Sequence, residues 1–98
     1  MEEKFIFREE AKKHLTENIL YYEEKAPGKG EEFAEDVYQK VQQISNRPLS
    51  HSVIYKDVRK ASLSKFPFNI YYALHDAVVN ILAIWHKSRN QDGWKRED

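Results

Sequence analysis

The chain has 98 residues, no cysteine, and 16 basic and 16 acidic side chains, so its formal net charge is zero. This length predicts one domain spanning residues 1–98, because a chain of this size can enclose one hydrophobic core. The absence of cysteine excludes disulfides, thiolate zinc sites and cysteine nucleophiles. A neutral charge disfavours a protein that binds mainly nucleic acid, because phosphate binding needs an excess of Lys and Arg.

The sequence shows no feature of export or membrane insertion. No apolar run approaches the roughly 18 residues that span a bilayer, and the N-terminal MEEKFIFREE has no apolar signal region. We therefore expect a cytoplasmic protein with no membrane partner. Residues 1–50 carry eight basic and eleven acidic side chains, whereas residues 51–98 carry eight basic and five acidic. Any anion-facing surface is expected in the second half of the chain.

The first half of the chain predicts a short strand followed by two helices. The strand covers Lys4–Arg8, and the first helix runs from Glu9 to about Ala26. The sequence PGKG then breaks this helix, and a second helix runs from Glu31 to about Asn46, before Pro48. Each helix has one apolar stripe: Ala11, Leu15, Ile19 and Tyr22 in the first, and Phe33, Val37, Val41 and Ile44 in the second. The two helices form a hairpin whose stripes need a sheet to pack on.

The second half predicts that sheet. Val53, Ile54 and Tyr55 open a strand, the polar run 56–65 is a strand with one wet side, and apolar residues alternate from Phe66 to Leu74. Pro67 should lie at a strand start or edge, and residues 75–77 reverse the chain. Val78–His86 is the most apolar strand and is expected to be central. The predicted fold class is α+β: an N-terminal strand, a helical hairpin, then a three- to four-stranded antiparallel sheet.

Two helices can cover only one face of such a sheet. The alternation along the last strand predicts that Val79, Ile81, Ala83 and Trp85 face one side, and that Val78, Asn80, Leu82, Ile84 and His86 face the other. Whichever set faces the helices, the remaining set lines an apolar face together with Tyr71 or Tyr72. Such a face usually marks a partner surface. The alternatives are self-association as a homodimer, or cover by the C-terminal tail.

Four side chains could perform metal-independent RNA cleavage, which needs a base, a phosphate-binding cation and an acid. They are Arg59, Lys65, His86 and Arg89, with Trp94 as a surface for base stacking. Structural roles are equally open: Arg59 could pair with a carboxylate, His86 could cap the strand end, and Trp94 could fold back on the sheet. No pair of histidines has metal-site spacing, and PGKG lacks the context of a phosphate-binding loop. We expect no cofactor and no metal.

The order of elements and several motifs resemble the RelE/ParE superfamily of bacterial toxins from type II toxin–antitoxin modules. The motifs are PGKGEEF between the helices, Val58-Arg59, the block FPFNIYY, and His86 with Arg89 and Trp94. Many members have proline soon after the arginine that matches Arg89, whereas this chain has Asn90-Gln91-Asp92-Gly93, which suggests a more mobile tail. The motifs resemble the ParE side of the superfamily more than the RelE side.

The resemblance implies a plasmid-stabilisation toxin that inhibits growth and is neutralised by a cognate antitoxin. ParE-like members are non-enzymatic and bind a protein target such as DNA gyrase; the candidates for that contact here are Arg89, Trp94 and Arg96. The candidates for antitoxin contact are Tyr71, Leu82 and Ile84. One alternative is a RelE-like endoribonuclease that cleaves mRNA on the ribosome. The other is an inactive relative that binds only its antitoxin.

Overall fold

The structure is a computed structural model that describes the backbone of residues 4–97 and the side chains of residues 4–95. The chain forms two helices and five strands, followed by a 3-10 helix at Gly93–Glu97. Their order is β1 (Phe5–Phe7), α1 (Glu9–Lys25), α2 (Lys29–Asn46), β2 (Val53–Tyr55), β3 (Val58–Ser62), β4 (Phe68–His75) and β5 (Val78–His86). Within these residues, no helix is both long enough and apolar enough to cross a membrane.

The five strands form one mixed sheet in the order β1-β5-β4-β3-β2. β2 to β5 are antiparallel neighbours, as predicted, but β1 joins the far edge parallel to β5, with Phe5 opposite Val79 and Phe7 opposite Ile81. The prediction of a purely antiparallel sheet is therefore corrected. The helical hairpin carries the chain away from β1, and β5 later returns beside β1 in the same direction. β5 is an interior strand, as expected, with β4 at the centre of the five.

The helical hairpin forms as the two apolar stripes predict. Glu23 closes the connection, because its carboxylate accepts hydrogen bonds from the Gly28 and Gly30 N–H groups at 3.0–3.1 Å. Gly28 has a φ of 87°, a left-handed conformation that favours glycine. Gly30 lies so close to α1 that a Cβ atom there would stand 2.6 Å from the Ile19 carbonyl oxygen. The two helices are therefore held in close backbone contact.

The helices cover one face of the sheet, which we call the helix face. Phe33 is its central side chain: it is completely buried and contacts the rings of Tyr22, Phe66 and Phe68 at centroid distances of 5.0–5.4 Å. The α2 stripe is buried throughout, and the α1 stripe packs against the same core. Buried Asp36 fixes the β3–β4 loop to α2, because its Oδ2 accepts the backbone N–H groups of residues 65 and 66 at 2.9 Å.

A β-bulge at Leu82 changes which residues of β5 face the helices. Tyr71 pairs with Ala83 whereas Tyr72 pairs with Ile81, so Leu82 is an extra residue on β5. Beyond it the alternation shifts by one residue. Ile84 therefore joins the helix-face core at 2 % exposure, while Ala83 and Trp85 lie on the opposite face. The predictions that Ala83 and Trp85 share a face with Val79 and Ile81, and that Ile84 and His86 share one with Leu82, are wrong for this reason.

Candidate functional site

The face of the sheet opposite the helices is partly covered by the C-terminal segment. We call residues 87–97 the tail and this side of the sheet the tail face. The Trp94 ring stacks on Tyr71, with 4.5 Å between ring centroids and 19° between ring planes. Gln91 Oε1 accepts hydrogen bonds from the Tyr71 hydroxyl and from Asn69 Nδ2. These contacts bury Tyr71 to 1 % exposure, and burial raises the pKa of its hydroxyl.

Trp85 forms the second contact between the tail and the sheet. The Arg89 guanidinium lies 3.8 Å from the centre of the Trp85 ring, and Trp85 Nε1 donates to the Asn90 carbonyl at 2.9 Å. Gly93 lies against the same ring, since a Cβ atom there would stand 2.7 Å from Trp85 Cζ2. Arg89 itself is exposed. The tail therefore presents a cation that an aromatic ring holds in position.

Two more cations surround Tyr55 at the edge of the tail face. The Lys95 ammonium lies 4.0 Å and the Lys56 ammonium 5.3 Å from the centre of the Tyr55 ring, and Lys95 also pairs with Asp92 at 2.9 Å. The Tyr55 ring in turn meets Trp94 edge-on at 6.0 Å. Aromatic rings and cations thus alternate across this face.

An open cleft of about 610 Å³ lies beside the tail on this face. Val58 and Leu82 provide its apolar surface, and its other lining residues are Arg8, Glu9, Glu10, Tyr55, Lys56, Trp94 and Lys95. No carboxylate of the described side chains lies within 4 Å of the Arg8 or Lys56 cation. The cleft therefore combines an apolar surface with two cations that lack an acidic partner within residues 4–95.

The prediction of an open apolar face requires correction, because the tail covers much of it. Trp94 folds back on the sheet, the alternative that the sequence left open. Of the predicted antitoxin contacts, Tyr71 lies beneath the tail, Leu82 lines the cleft, and Ile84 lies in the helix-face core. Arg89 and Trp94 lie together on the tail face, whereas the Arg96 side chain is outside the described residues.

The four candidate residues for RNA cleavage do not form one site. Arg59 lies on the helix face, and its guanidinium donates to the backbone carbonyl of His51, so it fixes the α2–β2 connection rather than pairing with a carboxylate. Lys65 is exposed in the β3–β4 loop. Arg59 pairs with Tyr72 and His86 pairs with Phe68, so Arg59 and His86 are four β4 residues apart, roughly 13 Å along the strand.

His86 stabilises the start of the tail. Its Nδ1 accepts the Ser88 N–H at 3.0 Å, and its ring contacts Phe68 edge-on at 4.9 Å. The structural role that the sequence suggested for His86 is therefore the one its contacts support.

Among the described side chains, no three His, Asp or Glu residues are close enough to hold a metal ion.

His14 is the residue of this region that sequence reasoning missed. It lies outside the apolar stripe of α1, yet its side chain is 14 % exposed and its Nδ1 accepts the Ile84 N–H at 3.2 Å. Its ring meets Trp85 edge-on at 5.4 Å. Burial lowers the pKa of His14, and the positive charges of Arg89 and Lys13 act in the same direction. The spacing of polar residues in α1 gives no indication of the contact between His14 and Ile84, because that contact depends on where β1 ends.

The helical hairpin on a mixed sheet, with motifs in the same chain order, places the protein in the RelE/ParE superfamily of toxins. The sequence model for the ParE toxin of type II toxin–antitoxin systems, parDE, matches residues 5–91, and the chain belongs to that family. The fold is similar to that of a chain from the chromosomal ParDE TA system of P. aeruginosa. The TM-score is 0.73 and the sequence identity 18 %, over 86 % of this chain and 95 % of that chain. No curated protein matches the sequence significantly.

Proposed function

We propose that this ParE-family toxin inhibits bacterial growth by binding a protein target, DNA gyrase, through its tail, and that a cognate antitoxin neutralises it. The observation that carries the proposal is the docking of the tail. Stacking on Tyr71 and Trp85 holds Arg89 and Trp94 in fixed positions on one face. Arginine and tryptophan side chains held in fixed positions are typical of the residues that dominate protein–protein binding energy.

The distribution of polar side chains favours binding over RNA cleavage. Concerted proton transfer needs an acid, a base and a cation within hydrogen-bond reach of one phosphate. The Arg59 guanidinium donates to the backbone carbonyl of His51. His86 lies far from Arg59 on the sheet, and its Nδ1 accepts the Ser88 N–H. A chain with zero net charge also lacks the basic excess that binding to ribosomal RNA requires.

The cleft beside the tail is the surface we assign to the antitoxin. An antitoxin segment with an apolar side chain would contact Leu82, and neighbouring carboxylates would pair with Lys56 and Arg8, which lack an acidic partner among the described side chains. Trp94 and Lys95 belong to both the cleft and the tail. A bound antitoxin would therefore block access of the target to the tail.

A supercoiling assay with purified gyrase tests the target. The wild-type toxin should inhibit supercoiling, and Arg89→Ala and Trp94→Ala should each weaken inhibition at least tenfold, the loss expected of a residue central to binding. Lys12→Ala is the matched control, because it removes an exposed positive charge from the helical layer, and it should inhibit like the wild type. Absence of inhibition by the wild type, together with mRNA cleavage in a ribosome-loaded translation reaction, would replace this proposal with the endoribonuclease. Unaffected growth on expression without antitoxin would indicate an inactive relative.

The antitoxin surface needs a separate test, using the product of a short reading frame adjacent to the toxin gene as the probe. Leu82→Ser should weaken neutralisation by this product while the variant still inhibits growth. Leu20→Ser is the control, since Leu20 is 60 % exposed on α1, outside the cleft. Equal neutralisation of the Leu82 variant and the wild type would contradict the assignment of the cleft.

A further inference from the structure

His14 provides a backbone partner at the edge of β5 where β1 stops. β1 ends at Phe7, and the last backbone–backbone bond between β1 and this edge joins the Arg8 N–H to the Ile81 carbonyl at 2.9 Å. Beyond the bulge at Leu82, the Ile84 N–H points to α1 and donates to His14 Nδ1 at 3.2 Å. A buried N–H without a partner would destabilise the folded chain. A side chain of α1 thus replaces the missing strand at this position.

His14 also contacts Trp85, the β5 residue that the tail packs against. Its ring meets the Trp85 ring edge-on at 5.4 Å, and Trp85 in turn contacts Arg89, Asn90 and Gly93. His14 therefore lies one residue away from the tail without touching the face that the tail presents. A change at His14 can reach the tail through Trp85.

Only the neutral form of His14 can make the contact with Ile84. Nδ1 must be unprotonated to accept the Ile84 N–H, so the proton of the neutral ring lies on Nε2, which is 3.8 Å from Glu10 Oε1. A second proton on Nδ1 would face the Ile84 N–H directly. Four charged groups act on the ring: Glu10 and Glu17 favour its protonation, whereas Lys13 and Arg89 oppose it.

We propose that neutral His14 is a positioning residue for the tail, holding the edge of β5 and the Trp85 ring in place, and that protonation of its ring releases both contacts. The tail then becomes less ordered under mildly acidic conditions while the helix-face core remains intact. The consequence for target binding rests on the proposed function, but the consequence for the tail does not.

Intrinsic fluorescence is a selective test, because both tryptophans of the chain, Trp85 and Trp94, lie on the tail face. In a Trp94→Phe background Trp85 is the single reporter. Its emission should change as the pH is lowered from about 7.5, with a midpoint below the ordinary histidine value of 6.5, because burial lowers the pKa of His14. His14→Gln should abolish the change, since the amide oxygen can accept the Ile84 N–H and does not protonate. A change that persists in His14→Gln would overturn the proposal.

His51→Gln is the matched control for the fluorescence test. Burial also lowers the pKa of His51, but this residue lies on the α2–β2 connection near Tyr72, on the helix face. This variant should keep the full pH-dependent change in Trp85 emission. Loss of the change in His51→Gln, with retention in His14→Gln, would assign the response to the wrong histidine and contradict the proposal.

Hydrogen exchange at the Ile84 amide tests the bond itself. After correction for the intrinsic exchange rate, its protection should fall by up to roughly two- to twelvefold from pH 7.5 to pH 5.5, the factor for one hydrogen bond of about 0.5–1.5 kcal/mol. His14→Gln should retain the protection at both pH values, and His14→Ala should lose it at both. Should His14→Ala fail to fold, the wild type and His14→Gln still decide the question. Equal protection of Ile84 at both pH values in the wild type would refute the role of His14.

The supercoiling assay then connects tail position to target binding. At pH 7.5, His14→Ala should inhibit gyrase less than the wild type, and His14→Gln should restore inhibition. If the wild type itself does not inhibit gyrase, the proposed function fails, whereas the fluorescence and exchange results still decide whether His14 positions the tail.

Discussion

The two faces of the sheet are covered by different means. The helix face is closed by α1 and α2, whose apolar stripes pack on a continuous core that includes Phe33, Ile44 and Ile70 at 0 % exposure. The tail face is covered by a short segment held by ring stacking on Tyr71 and Trp85 and by hydrogen bonds to single side chains. Exposed cations lie among these contacts, whereas the helix-face core is apolar.

This difference separates stability from recognition. Burial of apolar area supplies most of the free energy of folding, so the helix face should determine whether the chain folds. Stacking and cation–π contacts at a partly exposed surface contribute about 1 kcal/mol each, so the tail can shift or detach while the fold persists. Under the proposed function, the residues that bind the target and the antitoxin lie on the less stable face.

The largest expected effect is on the helix face. Phe33→Ala should lower the free energy of unfolding by about 3–5 kcal/mol, because it leaves a cavity among three aromatic rings. Trp94→Ala should cost less than half as much, since Trp94 is half-buried. Equilibrium urea unfolding followed by circular dichroism measures both, and Phe33→Leu replaces the alanine variant if that variant does not fold. Equal losses at the two positions would show that the tail belongs to the folding core.

Asp36 tests whether the helix face also depends on a polar contact. Asp36→Ala should cost about 2–3 kcal/mol, because it leaves the Lys65 and Phe66 N–H groups without their charged acceptor in a buried position. Glu35→Ala changes a neighbouring exposed carboxylate and should stay within about 0.5 kcal/mol of the wild type. Thermal unfolding of the two variants provides the measurement. A small effect of Asp36→Ala would mean that water or another acceptor satisfies the two N–H groups.

The helix face could be predicted from the sequence because its periodicity extends over many residues. The stripes of α1 and α2, the PGKG turn and the reversal at residues 75–77 all depend on local spacing and turn chemistry, and the structure confirms them. The reversal needs positive φ angles at Asp76 and Ala77, which the structure shows at 53° and 64°. Local rules of this kind are independent of what packs on the element.

The tail face could not be predicted in the same way, because a single bulge determines it. Strict alternation places Ile84 with Leu82, and the extra residue at Leu82 reverses that assignment. The role of His14 follows from the same bulge, together with the end of β1 at Phe7. Neither the bulge at Leu82 nor the end of β1 has a local sequence pattern, since both depend on pairing between strands that are distant in the sequence. The family resemblance implies a target-binding role for Arg89 and Trp94, but their contacts with Trp85 and Tyr71 required the structure.

One substitution at two glycines compares the faces directly. A Cβ atom at Gly30 would stand 2.6 Å from the Ile19 carbonyl oxygen, and one at Gly93 would stand 2.7 Å from Trp85 Cζ2. Gly30→Ala should cost about 1–3 kcal/mol of stability, because the backbone of α1 cannot move without disturbing the core. Gly93→Ala should change stability by less than about 1 kcal/mol but should shift the tail, seen as altered Trp85 emission. A large loss of stability in Gly93→Ala would show that the tail is as rigidly held as the hairpin.

The smallest expected effect is the dependence of stability on pH. It compares His14, which contacts Trp85, with His51, which lies on the helix face. Burial lowers the pKa of both His14 and His51 in the folded protein, so the unfolded chain binds protons more readily near pH 6.5. The free energy of unfolding should therefore be highest above this pH and fall modestly as the pH decreases to about 5.5. His14→Gln and His51→Gln should each reduce the slope, and the double variant should reduce it further. His51 adjoins Tyr72 on the helix face, whereas His14 adjoins Trp85. Only His14→Gln should therefore also remove the pH response of the tail. A slope of stability against pH that is unchanged in both single variants would mean that other groups control the stability in this range.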